Sequence, residues 1–137
     1  MSSNLIVTKS FDFAIKVVNL YKILVFEKKE YVLAKQFLRS GTSIGANIRE
    51  GVNGVSKADF KYKLGIALKE AKETEYWMEL MIATNILNEK EIQNELQECN
   101  QICRILSSII KSCKEISWEM LQIKHQVKYI KFSLRFY

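Results

Sequence analysis

Proline is absent from all 137 residues, where average usage of about 5% would supply roughly seven. Proline removes a backbone donor and clashes inside a helix, so its absence argues for a mostly helical backbone. Histidine is scarce as well, with His125 alone. A di-iron centre of the helical-bundle type needs a Glu-x-x-His motif on each of two helices, so the sequence argues against that chemistry. Ser40, Thr42 and Ser43 have no histidine near them in sequence and read as helix-packing hydroxyls rather than nucleophiles. No apolar run approaches the roughly 18 residues that a membrane span needs, and no membrane partner is expected. The first residues, MSSNLIVTKS, lack the apolar core of a signal peptide, so a cytoplasmic protein with reduced cysteines is expected.

What is present is an apolar, basic and strongly patterned chain. Hydrophobic residues make up 48% and charged residues 26%, the balance of a folded domain rather than a disordered one. The formal net charge of +6 favours anionic partners: RNA, DNA or an acidic protein surface.

Periodicity divides the chain into four helices, at about 11–28, 31–53, 57–84 and 89–113 or longer. The first is expected to start after a Ser10 cap, with Phe11, Ala14, Val18, Tyr21 and Val25 on one face and Ile15 and Val17 widening it. The run from Glu27 to Glu30 reads as a polar connection. The second helix carries Leu33, Phe37, Gly41, Ile44, Ile48 and Val52 as its apolar stripe. Glycine inside a helix costs about 1 kcal/mol against alanine. Gly41, Gly45 and Ala46 therefore point to another helix packed closely there, and with Ile44 and Ile48 they form the candidate packing and assembly surface. No strand precedes these glycines and their spacing matches no phosphate-binding loop.

Gly51, Asn53 and Gly54 are expected to end the second helix through left-handed geometry. Ser56 followed by Asp59 then resembles a capping box for the third. That helix is expected to bury Phe60, Leu64, Ala67, Leu68, Ala71, Met78 and Met81, with Asp59–Lys63 and Lys69–Glu73 as ion pairs on its wet side. After a turn around Asn85, Asn88 and Glu91 repeat the cap signal. Ile92, Leu96, Cys99, Cys103, Leu106, Ile110 and Cys113 follow as a coiled-coil-like seam. Short connections between four amphipathic helices imply an all-α, antiparallel up-down-up-down four-helix bundle over residues 1–113. Residues 114–137 carry five basic and two acidic side chains and form a basic C-terminal extension, either a helical continuation or a tail.

The residues that distinguish this chain from other bundles lie between Leu38 and Trp77. They are Leu38-Arg39-Ser40, Thr42 to Ile48, Glu50, Ser56 to Phe60, Lys63-Leu64, Ala67 to Ala71, Glu73-Thr74 and Tyr76-Trp77. Together they resemble the four-helix-bundle family of proteins encoded in intervening sequences of bacterial 23S ribosomal RNA genes. The resemblance extends more weakly over about 11–114. It implies an antiparallel bundle that assembles into a homopentamer, and a more distant similarity to the accessory variability proteins of diversity-generating retroelements, which work with a reverse transcriptase and nucleic acid. The family is described as RNA-associated and offers no catalytic residues to carry over.

Candidate sites divide accordingly. Arg39, Arg49, Lys57, Lys61, Lys63, Lys69 and Lys72 straddle the second and third helices and are the candidate nucleic-acid contacts, against the plainer reading of a solvated face. Phe60, Tyr62, Tyr76 and Trp77 are aromatics that could stack on bases, but they read first as core or interface anchors. Cys99, Cys103, Cys113 and His125 lack the paired spacing of a structural zinc site, so the cysteines read as small core hydrophobes and no metal is expected. Glu70, Glu73, Glu75 and Glu79 read as a salt-bridging face. The expectation is a non-enzymatic homo-oligomer without cofactor that binds RNA or DNA, or alternatively a scaffold for a protein partner such as a retroelement reverse transcriptase.

Overall fold

The computed structural model describes residues 2–113, which form four helices: α1 (Ser2–Phe26), α2 (Val32–Val52), α3 (Lys57–Ala83) and α4 (Glu89–Ser112). Each helix packs on its neighbours in order, and α1 against α4 closes the ring. Cross-helix partners run in opposite directions: Val17 and Ser10 face Gly41 and Gly45, and Arg39 and Glu50 pair with Glu73 and Lys63. This is the antiparallel up-down-up-down bundle that the periodicity implies. The proposed extension, including His125 and the heptad continuation toward Leu134, lies outside the described residues.

The core is one cluster drawn from all four helices, with Phe13, Phe37, Ile44, Leu64, Met78 and Leu106 fully buried. Helix α1 departs from the sequence expectation in two ways. It begins at Ser2, and Ser10 lies inside it, buried, with its hydroxyl donating to the Val7 carbonyl at 3.1 Å. A serine that satisfies itself on the preceding turn does not have to cap a helix. The core seam of α1 is Ile6, Ser10, Phe13, Val17, Leu20 and Leu24, while Phe11 is exposed and Ala14, Val18, Tyr21 and Val25 flank the core. The expected stripe is rotated by one residue because α1 also carries large apolar residues off its core seam, so spacing alone could not say which set faces inward.

The helix ends also correct one expectation. Asn53, the C-cap of α2, has φ −90° and ψ 7°, and no described glycine has a positive φ. The left-handed residues are Lys29 (φ 58°) and Asn85 (φ 59°). Gly54 is demanded instead by space, since a Cβ there would collide with the Asp59 carboxylate and stand 3.0 Å from the Gly51 carbonyl. At Asn85 the amide bonds the Ile82 carbonyl and the Ile86 amide bonds Met81, the paired pattern of a Schellman C-cap. The starts of α3 and α4 follow the sequence: Ser56 Oγ accepts from the Asp59 amide at 3.0 Å, and Asn88 and Glu91 form both halves of a capping box.

Candidate functional site

Helices α2 and α3 lie side by side and bring the seven basic candidates onto adjacent elements, as expected, but the acidic residues intervene. The Arg39 guanidinium reaches Glu73 and, at 3.3 Å, Glu70. Lys63 pairs with Glu50 at 2.9 Å and Lys72 with Glu75 at 3.6 Å. The expected Asp59–Lys63 and Lys69–Glu73 pairs are replaced by these contacts, because the facing helix offers Lys63 and Glu73 better-placed partners than their own. Arg49 sits over the Phe11 ring, 5.4 Å from its centroid. Lys57 and Lys61 face the end of α4, where their charge acts on the Cys113 thiol, and Lys69 is exposed. Arg39, Lys63 and Lys72 are thus held by carboxylates within the chain, and the basic character is spread around α3 rather than gathered on one face.

Beneath the Arg39 pair lies a buried hydroxyl contact. Thr74 donates to Ser40 at 2.9 Å, with the Glu70 carbonyl at 2.8 Å as its alternative, and Ser40 donates to the Phe37 carbonyl at 3.3 Å. These groups satisfy one another in the core and act as the packing hydroxyls expected of them. Burial pushes the Glu70 carboxyl above its ordinary value, and the nearby Arg39 only partly reverses this.

The assembly candidates separate by position. Gly41, Ile44 and Ile48 are buried within the chain, Gly45 is half-buried against Ser10, and Ala46 faces outward. A Cβ at Gly41 would stand 2.7 and 2.8 Å from the two methyls of Val17, so the close approach inferred from the glycines is the α1–α2 contact. What the sequence reading passed over is the outer side of α1. Leu5, Phe11, Ile15, Ile23 and Phe26 are all exposed, Phe26 by 69% and Leu5 by 56%, with Phe11, Ile15 and Phe26 opposite the core seam and Leu5 and Ile23 on its flank. The signal was available as large apolar residues interleaved with Thr8, Asp12, Asn19 and Lys22 on the outer side of that helix.

The cysteines are all free and buried, as expected of core residues. The fold adds a neighbour that spacing along the chain could not show: Glu75 of α3 approaches Cys99 and Cys103 of α4. Cys103 is the more acidic thiol, since the neighbouring Cys99 sulfur favours its thiolate and the Lys72 ammonium adds to that against burial. Cys99 is pushed up by the adjacent Cys103 and by its own burial.

Residues 2–108 match the family described as 23S rRNA-intervening sequence protein. The chain belongs to this family. A crystal structure of a protein of unknown function from the S23 ribosomal protein family of Bacteroides thetaiotaomicron is similar to it at 53% sequence identity and a TM-score of 0.79, covering 81% of this chain and 99% of that one. Comparison with curated proteins gives no match. The intervening-sequence family is thus shown on the helices that carry Leu38 to Trp77, and its bundle fold is the one described above. No helix among the described residues is long and apolar enough to cross a membrane.

Proposed function

We propose that this intervening-sequence protein is a non-enzymatic, self-assembling scaffold, most simply a homopentamer, that binds structured RNA through its basic surface. The observation that carries the reading is the set of large apolar side chains that α1 exposes, Phe11, Ile15 and Phe26 among them. Exposed apolar side chains of this size mark a surface that a partner covers, and a second copy of the chain is the occupant that assembly supplies. Charge supports the RNA component. Five copies at +6 each sum to about +30, and repeated basic patches release counterions together when they meet phosphate. Because Arg39, Lys63 and Lys72 are occupied by carboxylates, the contacts to RNA fall first to Lys61, Lys69 and Arg49.

Two measurements test the reading. Light scattering of the wild type should give an oligomer, and Phe11→Glu with Ile15→Glu should shift it toward monomer while the helical spectrum is kept. Gel-shift titration against 23S ribosomal RNA fragments and duplex DNA at two salt concentrations should show micromolar binding that weakens steeply with salt, and Lys61→Glu with Lys69→Glu should weaken it further. A monomeric wild type removes the assembly, and salt-insensitive or absent binding removes the RNA component. A protein partner retained through nuclease treatment without RNA binding would favour the scaffold for a reverse transcriptase instead.

A further inference from the structure

We propose that Glu75, Cys99 and Cys103 form a binding site for one borderline-soft divalent metal ion of the zinc type, between α3 and α4. Cys99 and Cys103 are one turn apart on α4 and present their sulfurs on the same side. Glu75 comes from the facing helix. The two sulfurs and a carboxylate oxygen all lie within 4.8 Å of one another, and Cys103 Sγ is 3.7 Å from Glu75 Oε2. Ligands about 2.0–2.3 Å from a tetrahedral zinc sit roughly 3.3–3.8 Å apart, so the triad needs to close by about 1.5 Å at most.

The chemistry of the donors narrows the ion. Two thiolates disfavour magnesium and calcium, which take oxygen ligands, and a carboxylate beside them disfavours copper(I) relative to zinc. Three protein ligands leave the fourth tetrahedral position for water. Two thiolates and a carboxylate bring a charge of −3 to a +2 ion, and the Lys72 ammonium, 3.6 Å from Glu75, offsets the remaining negative charge. In the binding step each thiol gives up its proton to solvent as its sulfur bonds to the metal, so two protons leave for each ion bound. Cys99 also gives up its 3.2 Å hydrogen bond to the Ala71 carbonyl, which sets what the metal bonds must outweigh. The site shares only Lys72 with the basic surface and nothing with the α1 face, and its test reads metal binding directly, without reference to oligomeric state or RNA.

The test titrates the full chain, kept reduced with a phosphine and stripped of metal, with cobalt(II) and then zinc(II). The expected result is one cobalt per chain with near-ultraviolet thiolate charge-transfer absorption, displaced by one zinc, and two protons released per ion on direct zinc binding. Cys103→Ser and Glu75→Gln should each weaken binding by more than the roughly 10–100-fold that follows the loss of a second-shell partner. Cys113→Ser, buried outside the cluster, should keep the stoichiometry. If Cys103→Ser unfolds by circular dichroism, Glu75→Gln at the edge of the bundle decides the matter. Absence of the charge-transfer band, or zinc uptake unchanged by Glu75→Gln, overturns the assignment.

Discussion

Gly41→Ala is the sharpest test of how this bundle is packed. The added methyl would lie 2.7 and 2.8 Å from the two γ-carbons of Val17, which is fully buried. Valine in a helix has one strongly preferred rotamer, so it cannot swing aside, and α1 must shift instead. Overpacking of this kind costs about 3 kcal/mol at its upper end. Alanine recovers about 1 kcal/mol of helix propensity. The net loss is then about 2 kcal/mol, a fall of roughly 8 °C or more in Tm for a domain of this size. Gly65→Ala supplies the opposite sign. Nothing lies within 4 Å of its Cβ position and the residue is exposed, so the substitution should stabilise by up to about 1 kcal/mol. Gly45→Ala, whose Cβ would make ordinary contact at 3.4 Å with Ser10, should fall between the two. Val17→Ala alone should cost about 2 kcal/mol, and adding Gly41→Ala to it should then stabilise, because the methyls it struck are gone. Urea unfolding at fixed protein concentration measures all five chains, the concentration being held because assembly adds to apparent stability. If Gly41→Ala matches Gly65→Ala, or if the double variant is simply additive, the account of the α1–α2 contact is wrong.

Three further outcomes follow from other parts of the structure. Lys29→Gly should raise stability by up to about 1 kcal/mol, since Lys29 holds φ 58°, which β-carbon-bearing residues adopt at a cost; an unchanged melting curve would argue against that geometry. Glu91 is held below its ordinary value first by the Asn88 amide and then by Lys28, so its contribution is present above the unfolded carboxylate pKa and lost as pH falls through the folded one; Glu70, raised by burial, contributes with the opposite sign. Glu91→Gln keeps a capping-box residue and should flatten the acid limb of a stability–pH curve, whereas an unchanged limb would exclude Glu91 as its source. Thr74→Val should cost about 1 kcal/mol by calorimetry rather than more, because Ser40 retains the Phe37 carbonyl as acceptor; a loss of several kcal/mol would mean the hydroxyl pair is not self-satisfied as described.

The local code was legible wherever backbone groups and their partners lie a few residues apart. The absence of proline, the Ser56–Asp59 and Asn88–Glu91 caps and the heptad spacing of Phe37, Ile44 and Ile48 determined the four helices and their order, because helix termini and helix faces are set by chemistry within one or two turns. The tertiary structure alone decided which side of α1 faces the core, since large apolar residues such as Phe11 and Ile15 lie off the core seam and leave more than one stripe to choose from. It also decided that Lys63 and Glu73 take partners on α2, that Gly41 answers Val17, and that Glu75 meets Cys99 and Cys103. These contacts join residues 13 to 34 positions apart across a helix pair, at distances fixed by the register between helices. That register is set by summed packing over the whole core, which no single segment of the chain encodes.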